Sequence, residues 1–270
     1  MPTDAQMQDA TSMGHSIRRL VLEVSKRAGV GHIGSELSIV DIVAALYSSV
    51  LHIPFPSDPA RDRFVLSKGH AALALYAALY LRGWITRDEL SSYCSNGSRL
   101  GVHPERGVPG VDFSTGSLGQ GLSVAAGAAL AASISGSPKR VFALISDAEC
   151  NEGAVWEAAM FAAHRRLDRL TAIIDLNGQQ ALGYTADVLD LQPMDRKWAA
   201  FGWDVAEVDG HDLGALVGTL SAAPTGGRPR VIIARTTFGK GVSYMERQVP
   251  WHYLPMSDSQ YELALAEVGE

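Results

Sequence analysis

The chain has 270 residues, is 47% hydrophobic and 19% charged, and carries a formal net charge of −6. This length is enough for one large α/β domain with a sizeable core, and the composition is that of an ordinary globular protein. The acidic balance argues against a general nucleic-acid or anionic-membrane binder. Two cysteines, Cys94 and Cys150, form neither a disulfide framework nor a metal-ligand spacing and fit a reducing cytoplasm. The polar N-terminus lacks a signal-peptide pattern, and the longest apolar run, Ala71 to Leu81, is too short to span a bilayer.

Apolar spacing predicts a helix over about 8–28, with Ile17, Leu20, Val21 and Val24 on one face and a stop at Gly29. The stretch Gly29 to Ser35 wraps three glycines around His32; taken alone it favours a glycine-rich helix stop over a presented side chain. A second helix is expected over 38–51. Arg63 to Leu66 is a short strand that runs into Ser67-Lys68-Gly69-His70 and an Ala/Leu helix, placing His70 at the mouth of a sheet. Thr86 to Glu89 has capping-box spacing. Residues 95–113 read as a loop carrying His103-Pro104-Glu105. Ser114 to Gly121 (STGSLGQG) opens an Ala-rich helix reaching about Ile134. Its glycines allow close approach to a ligand at a helix N-terminus, and they equally suit close helix packing.

The centre of the chain, Val141 to Gly183, is an apolar run ending in Asp147, a helical stretch, and a second apolar run ending in Asp175-Leu176-Asn177. Asp147 and Asn177 lie 30 residues apart, a good length for one strand–helix–strand unit. In a parallel sheet both sit at the carboxyl ends of neighbouring strands, where ligands of open α/β sheets bind. Their oxygens suit a hard cation such as Mg²⁺. They serve equally well as caps, and the pair alone leaves both readings open. Beyond lie a loop over 183–191, a short helix over 194–201, a strand over 203–208, and a turn at Asp209 to Asp212 in which His211 reads as a turn residue. A helix over 213–222, a strand over 230–237 and a tail with Trp251-His252 complete the chain. Residues 223–227 read as a loop, not a domain boundary. The alternation predicts an α/β fold, a mostly parallel sheet flanked by helices on both faces, as a single domain over 1–270. No Walker A or G-x-G-x-x-G signature follows the first strand, which disfavours a generic nucleotide binder.

The segments GHIG, LSKGH, HPE, STGSLGQG, the Asp147–Asn177 pair with Glu152-Gly153 between, and GKGVSYMERQVPWH occur in one order. That order resembles the N-terminal half of transketolases, and most of all the N-terminal, diphosphate-binding subunit of split, two-chain members. The resemblance covers about Arg18 to Leu265. It implies the thiamine diphosphate-binding fold, with thiamine diphosphate as cofactor and Mg²⁺ or Ca²⁺ bridging its diphosphate to the protein. By position, Asp147 and Asn177 would ligate the metal through side-chain oxygens and Gln179 through its carbonyl. Ala148, with Glu149 beside it, would approach the diphosphate. Gly116 and Leu118, with Ser117 between them, would lie against the aminopyrimidine end. His70 and His252 would contact the diphosphate region and the substrate, His32 and His103 would line the substrate channel, and Glu152 would join an acidic network between protomers.

The resemblance also implies a transferase that moves a two-carbon ketol unit from a ketose or sugar-phosphate donor to an aldose or related acceptor. It further implies a C-terminal, pyrimidine-binding partner subunit in an α2β2 assembly, since this chain shows no pyrimidine-binding domain. Nucleic acid and membrane are not expected partners. Two other readings stand beside this one: a divergent pair serving a specialised acceptor, and a non-catalytic cofactor-holding subunit. The family's usual Gly-Asp-Gly is Ser146-Asp147-Ala148 here. The extra methyl of Ala148 is tolerated only at negative φ. The helices over 71–81 and 122–134 are candidates for an interface or for the core.

Overall fold

The computed structural model describes residues 2–269. Its strands, in chain order, are β1 (Arg63–Leu66), β2 (Val141–Ser146), β3 (Leu170–Leu176), β4 (Gln179–Gln180), β5 (Gly183–Tyr184), β6 (Asp204–Asp209) and β7 (Arg230–Arg235). The five long strands form one sheet in the order β1-β2-β3-β7-β6, and every pairing in it is parallel. β4 and β5 form a separate antiparallel hairpin.

The helices are α1 (Asp4–Ala28), α2 (Ile33–Ser38), α3 (Val40–Ala45), α4 (Ala72–Leu81), α5 (Arg87–Ser91), α6 (Gly121–Ile134), α7 (Gly153–His164), α8 (Thr185–Leu189), α9 (Met194–Ala200), α10 (Leu213–Ser221) and α11 (Asp258–Val268). Alternate residues of the strands enter two separate cores, because successive side chains of a strand point to opposite faces. Phe142, Leu144, Ile173 and Ile232 pack with α1, α3 and α4. Ala143, Ile145, Ile174 and Ile233 pack with α6, α7 and the buried Trp198 and Trp203. The expected parallel sheet with helices on both faces is therefore present. Among the described residues no helix is long and apolar enough to cross a membrane.

Several local expectations change. α1 starts at Asp4, earlier than the apolar spacing suggests, because Thr3 and Gln6 form a capping box. It stops at Gly29, which takes φ 65°. The helix expected over 38–51 instead breaks at Ile39 into α2 and α3 and ends in a π-helical turn, Leu46–Val50. α2 begins inside the glycine-rich stretch, directly after His32. The loop expected over 183–191 holds β5 and α8. α4 is buried from Ala72 to Leu79 and so belongs to the core, whereas α6 leaves Ser123, Gly127 and Ala131 on an exposed face.

Candidate active site

All five parallel strands end on one edge, and Lys68, Asp147, Asn177 and Thr236 follow the carboxyl ends of four of them. A cleft of about 400 Å³ opens above this edge. Four histidines from distant segments line it: His32, His70, His103 and His252. The rings of His32 and His70 lie 5.4 Å apart, and those of His70 and His252 lie 6.0 Å apart.

Each ring is held by a different device. His32 caps α2 from the left-handed region, at φ 68°, and its N–H donates to the His252 carbonyl at 3.2 Å. Left-handed backbone is uncommon for a residue other than glycine and marks a position held by its surroundings. His70 Nε2 lies 2.8 Å from Ser35 Oγ on α2. His252 stacks on Phe238 at 4.8 Å. The His103 ring leans on Gly116, where a Cβ would come within 3.0 Å of it.

Burial holds three of these imidazoles neutral. It lowers the pKa of His32, helped by His103 and Lys68. It drives His70 well below the usual range, with Lys68 adding to the effect. His252 is lowered to about 4 by burial and then by Lys68. A neutral imidazole has one ring nitrogen to accept a proton and one to donate. His32 Nδ1 and His252 Nε2 are buried and have no partner among the described residues.

Asp147 lies between Ser146 and Ala148, which line the cleft; it is set back behind them and is 3% exposed. Its Oδ1 accepts from the Ala148 N–H at 2.8 Å and its Oδ2 from the Gly178 N–H at 2.9 Å. Burial and then the nearby Asp175 carboxylate push its pKa up to about 7. Asn177 Oδ1 accepts from the Gln179 N–H at 2.9 Å, while its Nδ2 donates to Asp175 Oδ2 at 2.8 Å. Gln179 and Gln180 line the same cleft, and both amide atoms of the Gln179 side chain are buried without a partner among the described residues. Ala148 opens a right-handed 3₁₀ turn, Ala148–Asn151, so its φ is negative and the methyl adds no backbone strain.

Gly116 and Leu118 line the cleft together with Ala148 and Glu152. Besides the set-back Asp147, two residues expected at the cofactor do not. Ser117 is exposed, and its hydroxyl accepts from Gln120 Nε2 at 3.3 Å. Glu149 is fully buried, and its carboxylate accepts from the Ser67 hydroxyl, the Gly119 N–H and the Ser146 N–H. These three donors draw the carboxylate inward, so it braces the loop behind the cleft instead of facing into it.

Reading by motif missed Ser35, Lys68, Asp175 and Thr236. Lys68 and Asp175 form an ion pair at 2.5 Å with both side chains 0% exposed. Both stand inside segments that drew attention for other residues, Ser67 to His70 and Asp175 to Asn177; charged residues at the ends of buried strands were the available signal.

The family described as the transketolase, thiamine diphosphate binding domain matches residues 9–269. The chain belongs to the transketolase family. It is 42% identical to a 6-deoxy-6-sulfo-D-fructose transketolase subunit of a Clostridium species, over 97% of this chain and 97% of that one. It is 41% identical to one of the subunits of an apulose-4-phosphate transketolase of Phocaeicola vulgatus, over 94% and 91% of the two chains. Among solved structures, the transketolase of Leishmania mexicana superposes with a TM-score of 0.88 at 31% identity, covering 96% of this chain and 41% of that one. This transketolase-family chain thus spans about two-fifths of that solved transketolase and nearly the full length of relatives named as subunits. The expectation of an N-terminal transketolase subunit, and hence of a transferase with a thiamine diphosphate-binding fold, is borne out.

Proposed function

We propose that this chain is the diphosphate-binding subunit of a two-subunit transketolase, active when a second, pyrimidine-binding polypeptide completes the cleft in an α2β2 assembly. The reaction is transfer of a two-carbon ketol unit from a ketose donor to an aldose or related acceptor. The observation that carries this reading is the convergence of four histidines with the ends of β2 and β3 around one cleft.

The residues fit a divalent cation and a diphosphate. Asp147 is buried beside the Asp175 carboxylate, and burial and then that neighbour raise its pKa, a cost that a bound cation would offset. Asp147 and Asn177 offer hard oxygen donors, and the Gln179 carbonyl offers a third, the donor type that Mg²⁺ and Ca²⁺ take. When bound, thiamine diphosphate supplies the nucleophilic carbon and the electron sink for cleaving a carbon–carbon bond beside a carbonyl. The chain's own part is to hold donor hydroxyls and move their protons. Neutral His32 and His252, each with a buried ring nitrogen that has no partner among the described residues, can take and give hydrogen bonds to those hydroxyls. Buried polar partners also favour a hydroxylated donor over a plain keto acid.

The two relatives are named for a sulfonated and a phosphorylated sugar, so an anionic sugar is the substrate class we assign. Among the described residues lining the cleft, the lysine is Lys68, which is engaged by Asp175. Recognition of the anionic end therefore falls to the partner polypeptide. Cys94 and Cys150 are free thiols, in keeping with a cytoplasmic enzyme.

Native mass spectrometry on the complex from its own source, with Mg²⁺ and thiamine diphosphate in the buffer, tests this. Two copies of each polypeptide with two cofactors are expected, and Asp147→Ala is expected to release the cofactor. Two-carbon transfer by this chain alone would overturn the two-subunit reading, and a complex indifferent to Asp147→Ala would overturn the cation site.

A further inference from the structure

We infer that Asp175, held by Lys68, is a positioning residue that decides which end of the Asn177 side chain faces the cleft. This rests on the reading of Asn177 as a cation ligand.

Asp175 is at the carboxyl end of β3 and is fully buried. Its Oδ2 accepts from Lys68 Nζ at 2.5 Å, from Ser38 Oγ at 2.8 Å and from Asn177 Nδ2 at 2.8 Å. Its Oδ1 accepts from the Thr236 hydroxyl. One carboxylate therefore joins the end of α2, the β1–α4 turn, the end of β3 and the exit of β7.

An amide side chain can rotate by half a turn with almost no change in shape, so packing alone does not orient it. Lys68 Nζ, Ser38 Oγ and the Thr236 hydroxyl all donate to Asp175, so its oxygens meet their neighbours as acceptors. Facing Asp175, Asn177 can present its Nδ2 and not its Oδ1. The Oδ1 is then turned the other way, where it takes the Gln179 N–H at 2.9 Å and keeps a second lone pair. Lys68 supports this arrangement, because its ammonium carries only donors and lies 2.5 Å from the same Oδ2, which it holds as an acceptor. The same ammonium donates to the Ser35 carbonyl at 3.1 Å, and the Ser35 hydroxyl meets His70. A single ion pair thus sets the Asn177 amide and supports the segment that holds a cleft histidine.

The test compares two double variants of this chain in complex with its partner. Lys68→Met with Asp175→Leu removes both the charge pair and the acceptor. Lys68→Met with Asp175→Asn removes the charge pair and leaves a carbonyl that can accept from Asn177. Mn²⁺ binding in the presence of thiamine diphosphate is read by electron paramagnetic resonance, and thermal midpoints are read in metal-free buffer. The leucine pair is expected to bind Mn²⁺ about tenfold or more weakly, the usual cost of losing the group that orients a metal ligand. The asparagine pair is expected to stay within about threefold of the wild type, since one accepting oxygen remains. Equal affinity in both pairs and the wild type overturns the inference.

Asn177→Asp decides the matter if the leucine pair does not fold. A second carboxylate facing Asp175 should weaken Mn²⁺ binding, although aspartate is intrinsically the stronger ligand; tighter binding overturns the inference. Failure of the wild type to bind Mn²⁺ with thiamine diphosphate, or indifference to Asp147→Ala, removes the cation reading itself.

Discussion

The backbone N–H of Gly119 donates to Glu149 Oε1 at 2.7 Å, joining the glycine loop ahead of α6 to the turn that follows β2. The same oxygen takes the Ser67 hydroxyl at the end of β1, and the other takes the Ser146 N–H at 3.3 Å. Gly119 adopts φ +86°, and a Cβ there would lie 2.6 Å from that of Glu152. Three segments at the cleft edge therefore depend on one buried carboxylate and on a glycine that no larger residue can replace without strain.

Glu149→Gln should loosen this junction. Every partner of the carboxylate is a donor, and the amide NH₂ of glutamine would have to face one of them. We expect a loss of about 1–3 kcal/mol, measured by chemical denaturation. Hydrogen exchange should become faster over residues 115–121 and stay unchanged in α1. Unchanged exchange in the loop would show that other contacts hold it.

Gly34→Ala should damage the site from behind. A Cβ at Gly34 would fall 2.1 Å from Phe238 Cε1, and Phe238 is the ring on which His252 stacks. The residue is buried within α2, so Phe238 has to shift. Overpacking of this kind costs about 1–3 kcal/mol. We expect that loss in the denaturation midpoint together with reduced turnover by the reconstituted complex. Full stability and full activity would show that Phe238 can move freely.

His252 should make the protein acid-sensitive. Its pKa falls to about 4 in the fold from a usual 6.5. As the pH drops below 6.5 the unfolded chain takes up the proton first, so stability is fully present above that pH and is lost down to about 4. The slope from one such group is up to about 1.4 kcal/mol per pH unit. His252→Phe, which keeps a ring against Phe238, should flatten the fall in unfolding free energy between pH 6.5 and 4 and leave its slope above about pH 7 unchanged. An unaltered acid limb would show that His252 is not among the groups responsible.

Ala148→Gly, which installs the glycine usual in the family, should bring no benefit. The residue sits in a right-handed turn, where glycine only adds freedom to the unfolded chain. A loss of about 0.5–1 kcal/mol in stability is expected. Thiamine diphosphate affinity should stay within about threefold, since no side-chain contact is removed. A large gain in affinity would show that the methyl obstructs the diphosphate.

Strand–helix alternation and the order of the motifs were legible in the residues alone, because both depend on local periodicity and turn chemistry. The parallel sheet and helices on both faces could therefore be named from sequence, as could Asp147 and Asn177 at strand ends, whereas the four cleft histidines are named through the resemblance to transketolases. Boundaries suffered where capping or a break overrides periodicity, as at Thr3 and Ile39. What tertiary structure decided is which polar groups meet. Ser117 and Glu149 lie close to glycines at the cleft edge, yet one faces solvent and the other is drawn inward by three donors. Lys68 and Asp175 are 107 residues apart, and no local pattern says that their charges cancel in the interior. His211 reads as a turn residue, and folding sets its Nδ1 2.8 Å from Asp41 on α3 while its Nε2 accepts from the Thr237 N–H. Such pairings follow from the register of the sheet and from how helices cross it, so they appear only when the chain is folded.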